Sequence, residues 1–109
     1  MNRGTVWTAA GGGGYAGKSR PVVVVQDDRF DATESITVVP LTTDPIKAPQ
    51  FRVRLEPAEA NGLRAVSHAM VDKITTMPKH RLRISLGVLS SEDMTRISRA
   101  IVIFLGIGG

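Results

Sequence analysis

The segment that most constrains the fold of this chain is Pro21-Val22-Val23-Val24-Val25, a proline followed by four consecutive valines. Two heavy atoms on each valine Cβ stiffen χ1 and favour extended backbone. A short unbroken apolar run, unlike an alternating one, is a strand that must be covered on both faces. Residues 22–25 are therefore expected to form the central core strand, and the other segments must supply a layer on each side.

Most of those segments are also short and extended. Residues 4–9 include Val6 and Trp7 and read as a strand, ended by the consecutive glycines 11–14, whose backbone freedom opposes regular structure. Asp27, Asp28 and Asp31 break the valine run, so the stretch to Thr33 is a loop or a short helical turn. Residues 36–41 form a third strand, closed by the turn residues Thr42-Thr43-Asp44-Pro45. Phe51-Arg52-Val53-Arg54-Leu55 alternates without error, which sends Phe51, Val53 and Leu55 to the core and Arg52 and Arg54 together to the opposite face. Asn61-Gly62 marks a turn, residues 66–77 read as one further strand, and Pro78 ends it. Leu82, Ile84, Leu86 and Val88 keep a period of two in a last strand, after a turn around residues 79–81. Only the C-terminus has a helical pattern. Ser90-Ser91-Glu92-Asp93 is a capping-type start, Met94, Ile97, Ile101, Phe104 and Leu105 recur at helical spacing, and Gly106 is a natural stop. Strands closed by one helix, without βαβ alternation or internal repeat, imply a mainly β domain spanning residues 1–109, built as a strongly bent antiparallel sheet or small barrel.

Composition narrows the function classes. Apolar residues are 42% and charged residues 22% of the chain, an ordinary globular balance that argues against disorder. The apolar run at residues 100–107 is far shorter than the roughly 20 residues of a membrane span, and residues 1–20 lack the apolar core of a secretion signal. A cytoplasmic protein with no membrane partner is expected. Without cysteine, disulfides and thiolate metal sites are excluded. His68 and His80 stand apart and no carboxylates cluster at ligand spacing, so neither metal nor cofactor is expected. Fourteen Lys and Arg against ten Asp and Glu give a net charge of +4, which favours polyanionic partners.

Several motifs stand in a telling order: Arg3-Gly4-Thr5-Val6-Trp7, then Ser19-Arg20-Pro21 and the valine run into Gln26-Asp27-Asp28, then Val38-Val39-Pro40-Leu41-Thr42-Thr43. After them come Gly62-Leu63, Val71-Asp72-Lys73-Ile74-Thr75-Thr76, Arg81-Leu82 with Leu86-Gly87, and a closing helix through Ala100 to Leu105-Gly106. In order and spacing they resemble the MazF/PemK toxins of bacterial toxin–antitoxin pairs. The resemblance implies an SH3-like barrel of the PemK/CcdB type and a homodimer. It also implies a small MazE-like antitoxin whose acidic and apolar tail covers a basic groove. The implied activity is an endoribonuclease, or mRNA interferase, that cuts single-stranded RNA at short sequences by metal-independent 2′-hydroxyl attack.

Such cleavage needs a proton acceptor, a donor for the leaving oxygen, and cations around the developing charge. Arg20 alone reads as a solvated loop arginine; the resemblance makes it catalytic. Its permanently charged, planar guanidinium suits stabilising a phosphorane better than moving a proton. Thr42 matches a family threonine placed to donate to a phosphate oxygen, with Thr43 as the alternative, and either also reads as a turn residue bonded to its own backbone. Asp72 stands where family members carry an aspartate or glutamate and is the most suitable base; paired with Lys73 or an arginine it is structural instead. Met70 departs from those PemK-type members that place an arginine two residues before the aspartate. His68 reads as a surface or half-buried histidine, roughly 13 Å from Asp72 along a regular strand. Lys18, Tyr15, Thr43, Arg52, Arg54 and Lys73 are the expected RNA contacts, the cations tracking phosphates and Tyr15 stacking on a base. Each is equally an ordinary solvated side chain.

Two other readings share the fold. CcdB-type toxins bind DNA gyrase, without nuclease activity, through a C-terminal helix ending in Trp-Gly-Ile; this chain ends Phe104-Leu105-Gly106-Ile107-Gly108-Gly109 and lacks the tryptophan. A non-catalytic SH3-like binding module requires that Arg20, Thr42 and Asp72 fail to converge. Val102, Ile103 and Ile107 widen the apolar face of the helix, which suits either a dimer contact or burial on the sheet.

Overall fold

A computed structural model of the chain describes residues 1–11, 19–45 and 50–108. The valine run lies at its centre. Strand β2 (Arg20–Val24) pairs antiparallel with β1 (Thr5–Ala9) on one side and β3 (Ser35–Thr42) on the other. Val22 to Val25 are each at most 7% exposed, because alternation along the strand gives each face its own apolar layer. Val23 and Val25 join Val6, Val39, Leu41, Leu55, Ile97 and Ala100 beneath the helix, while Val22 and Val24 join Ala9, Ile36, Val38 and Leu82 on the other side. The strand starts before the proline, so Arg20 is a strand residue and not part of a loop.

The long strand β3 is shared. One edge pairs with β2 (Val22↔Pro40, Val24↔Val38). The other edge pairs first with β6 (Thr75–Pro78) through Ile36↔Met77 and Val38↔Thr75, then with β5 (Ser67–Met70) through Leu41↔Ala69 and Thr42↔His68. Pro40 falls at the changeover. Val25 N–H donates to Thr37 O at 3.1 Å, so by alternation Thr37, Val39 and Leu41 turn their backbone groups to β2, and Pro40 turns its nitrogen to the gap between β6 and β5. A residue without an N–H is tolerated there.

Residues 66–77 are therefore not one strand. The pairing register along β3 slips by three residues between β5 and β6, and the extra chain forms a 3₁₀ turn, Val71–Lys73, pinned by the fully buried Val71. Asp72 lies in this turn.

Strand β4 (Arg52–Leu55) pairs with β5, and β7 (Leu82–Val88) pairs with β1, which gives the order β4-β5-β3-β2-β1-β7 with every pairing antiparallel. Among the described residues β4 and β7 do not pair with each other, so the sheet is strongly bent but open rather than a closed barrel. The period of two in β7 does not mark a core face. Leu82 is buried, but Ile84 and Val88 are exposed, on an edge strand whose register against β1 breaks twice.

Helix α1 (Ser91–Phe104) starts as its sequence predicts, the Ser90 hydroxyl accepting from Asp93 N–H at 3.1 Å. Ile97 and Ala100 bury its inner face, and Leu105 and Gly106 (φ +71°) end it. Val102, Ile103, Phe104, Leu105 and Ile107 stay exposed. No helix among the described residues is long and apolar enough to cross a membrane.

Candidate functional site

The site follows from strand register. Continuing the β2–β3 ladder past Val22↔Pro40 brings Arg20 opposite Thr42. Thr42 in turn opposes His68 on β5, and His68 opposes Arg54 on β4. Directly opposed residues project from the same face with Cβ atoms about 4.5–5.5 Å apart. The next residues along, Leu41 and Ala69, belong to the core beneath the helix, so this row faces the other way. Arg20, Thr42, His68 and Arg54 thus form one line across four strands, and Arg52 and Met70 oppose each other in a parallel line behind it.

A groove of about 540 Å³ opens over this face, lined by Arg20, Thr42, Asp44, Arg52, Lys73 and Arg81, with Met70, Thr75, Thr76 and Met77 among its walls. A second depression of about 390 Å³, with Ser19, Thr43 and Ser67 in its lining, shares Arg20, Thr42 and Asp44 with the first. Arg20 and Thr42 therefore stand where the two meet. The Thr42 oxygen accepts from Asp44 N–H at 3.2 Å, as a turn residue would, and its own hydrogen remains able to donate.

Asp72 is bound tightly. Arg52 Nε donates to one carboxylate oxygen at 2.7 Å and a terminal nitrogen donates to the other at 2.9 Å. The Arg52 side chain is 7% exposed and that of Asp72 23%. Hydrogen bonds from the guanidinium hold the carboxyl below the usual carboxylate range, outweighing burial, and the charges of Arg52 and Lys73 act in the same direction. Arg52 thus supplies the ion pair that sequence leaves open for Asp72, bidentate at both ends. A carboxylate held this way is a weak proton acceptor.

Of the expected site residues, Arg20, Thr42, Arg52 and Lys73 line the larger groove and Thr43 the smaller one. Asp72 and Arg54 line neither, and nor does His68; Arg54 pairs with Glu56 at 3.0 Å in solvent. Tyr15 and Lys18 lie outside the described residues. Sequence reading missed Asp44, Arg81 and the row position of His68. Arg81 resembles any basic turn residue, in a 3₁₀ turn Lys79–Arg81. The clue to His68 was the pattern Ser67-His68-Ala69-Met70, but its neighbour across the sheet depends on a register that no local signal fixes. Among the described residues no three histidine or carboxylate side chains group as a metal site.

Known proteins resemble this arrangement along its length. A family model described as the PemK-like, MazF-like toxin of type II toxin–antitoxin systems matches residues 2–105. The chain is 53% identical, over 109 residues and 100% of both sequences, to a probable endoribonuclease MazF of Mycolicibacterium smegmatis. It is 31% identical to endoribonuclease MazF9 of Mycobacterium tuberculosis, with 98% of each covered. Its fold superimposes with a TM-score of 0.81 on a solved mycobacterial endoribonuclease in complex with its cognate antitoxin, at 26% identity, covering 98% of this chain and 96% of that one.

Proposed function

The chain belongs to the PemK-like, MazF-like toxins of type II toxin–antitoxin systems, and from that membership we propose that it is a toxin endoribonuclease whose groove binds single-stranded RNA. The observation that carries the site is the side-by-side placement of Arg20 and Thr42 where the two depressions meet. A phosphate seated there receives the Thr42 hydroxyl on one oxygen and the Arg20 guanidinium beside it. As the substrate's 2′-hydroxyl attacks, negative charge grows on the phosphoryl oxygens, and fixed donors in a partly dry groove stabilise it better than water does. Arg52, oriented by Asp72, presents its remaining N–H groups to the groove, and Lys73 and Arg81 meet neighbouring phosphates. No step asks for a metal or other cofactor.

Residues 1–109 act as one toxin domain in this reading, in the cytoplasm. A solved relative is described with its cognate antitoxin, and the same kind of partner is proposed here, an acidic, MazE-like segment that complements the basic groove. The exposed apolar end of α1 suits a homodimer contact. Gyrase binding is dropped as an alternative, because relatives that match the chain over almost its whole length are named endoribonucleases.

The test is direct. The purified protein, incubated with a long single-stranded RNA in EDTA, is expected to leave 5′-hydroxyl and 2′,3′-cyclic phosphate ends at a short recurring sequence. Arg20→Ala should slow cutting by about 10²-fold or more while the variant still folds, as far-UV circular dichroism checks. Intact RNA after incubation with the wild-type protein sinks the reading.

A further inference from the structure

We propose that His68 is the proton acceptor of the cleavage reaction, an assignment that rests on the endoribonuclease reading above. Extending the β2–β3 ladder past Val22↔Pro40 puts Arg20 on one flank of Thr42, and β5 pairs His68 on the other. Neighbouring strands lie about 4.8 Å apart, so Arg20 and His68 are rooted on opposite sides of a phosphate held over Thr42. In-line displacement needs this layout, because the attacking and leaving oxygens stand on opposite sides of the phosphorus.

On the β5 side the neutral imidazole nitrogen takes the proton of the 2′-hydroxyl as O2′ bonds to phosphorus. The P–O5′ bond breaks with its electron pair on O5′, beside Arg20, and a solvent water protonates that oxygen. The imidazolium then returns its proton to the hydroxide formed, so no charge is left on the protein. Asp72 is ill suited to this role, with both of its oxygens bonded to Arg52. His68 is half-buried. Among the described residues the groups facing it are Thr42 on β3, Arg54 with its partner Glu56 on the β4 side, Arg20 and Asp44 beyond Thr42, and the Arg52–Asp72 pair one line behind. Among these only Asp44 is a second carboxylate at the groove that could compete as the base.

Single-turnover cleavage of a long single-stranded RNA by the full chain, followed from about pH 5 to pH 9, tests the assignment, since histidine ordinarily changes charge within that range. The wild-type rate should fall as the pH drops. His68→Gln should lower the plateau by about 10²-fold or more and abolish the pH-dependent fall, while binding of a DNA oligonucleotide of the same sequence stays within about twofold. A fall that persists in His68→Gln, or that disappears in Asp44→Asn instead, overturns the proposal. Each profile is normalised to its own plateau, and His68→Asn serves as a second variant, so a partly unfolded preparation still reports the shape. Wild-type protein that leaves the RNA intact is a separate failure, which removes the endoribonuclease reading and the role of His68 with it.

Discussion

Arg52 and Asp72 are twenty residues apart and meet only because β4 pairs with β5 and the 3₁₀ turn follows directly on β5. Removing one partner of a mostly buried pair leaves the other charge without compensation, which typically costs 3–5 kcal/mol. Asp72 keeps some contact with water, so Asp72→Asn should cost roughly 2–3 kcal/mol in a urea or thermal melt. Its effect on cleavage should fall on KM more than on kcat, because the substitution loosens an arginine that holds substrate and leaves Arg20 and Thr42 in place. The pair also gives acid stability a definite sign. The folded-state pKa of Asp72 is lowered from the ordinary 3.8, so between the two values the unfolded chain binds more protons than the folded one, and stability rises with pH there. The contribution is complete above the ordinary carboxylate range and is lost as the pH falls through the folded-state value. Melting temperatures of wild type and Asp72→Asn should therefore differ most near neutral pH and converge in strong acid. A gap that stays constant from pH 7 down to about pH 2 would mean that the pair is not what the substitution removes.

At the scale of elements, the turn before residue 63 decides how β7 closes against the rest of the sheet. Asn61 is 4% exposed, and its side chain accepts from Ala58 N–H and Leu63 N–H and donates to Glu56 O. Gly62 has φ +69°, and a Cβ there would lie 2.1 Å from the backbone oxygen of Leu86. Gly62→Ala thus meets both a strained conformation and a backbone clash, and should cost at least about 2 kcal/mol in a denaturant melt. Signals carried by neighbouring residues were legible in advance. The valine run, the alternation of residues 51–55 and the Ser90 cap each act within a turn or a strand, and each element is present. The three-residue slip between β5 and β6 was not legible, because the stretch has strand composition throughout and the slip is imposed by sharing one edge of β3. Arg20, Thr42, Arg52 and Lys73, singled out from the sequence, do line one groove, whereas Arg52 as the partner of Asp72 and His68 as the neighbour of Thr42 were not legible there. Those relations belong to pairing between distant segments, where a shift of one residue turns every side chain to the other face.

Taken whole, the molecule carries a net charge of only +4, so where the cations sit matters more than how many there are. Lys73 and Arg81 line the groove with Arg20, whereas Arg29 sits in the 3₁₀ turn Asp28–Phe30, ion-paired with Asp27 at 3.1 Å and absent from the groove lining. Arg81→Ala and Arg29→Ala each remove one positive charge, and they separate a local effect from a global one. Binding of single-stranded RNA should weaken with salt by a slope of about −0.7 in log K against log salt for each phosphate neutralised. If the groove follows the backbone, Arg81→Ala should make the slope shallower by about 0.7 between roughly 50 and 200 mM salt. Arg29→Ala should leave it unchanged, although both variants carry the same formal charge. Equal changes in the two variants would mean that RNA responds to the net field of the protein, and the groove would then lose its claim to be the RNA path.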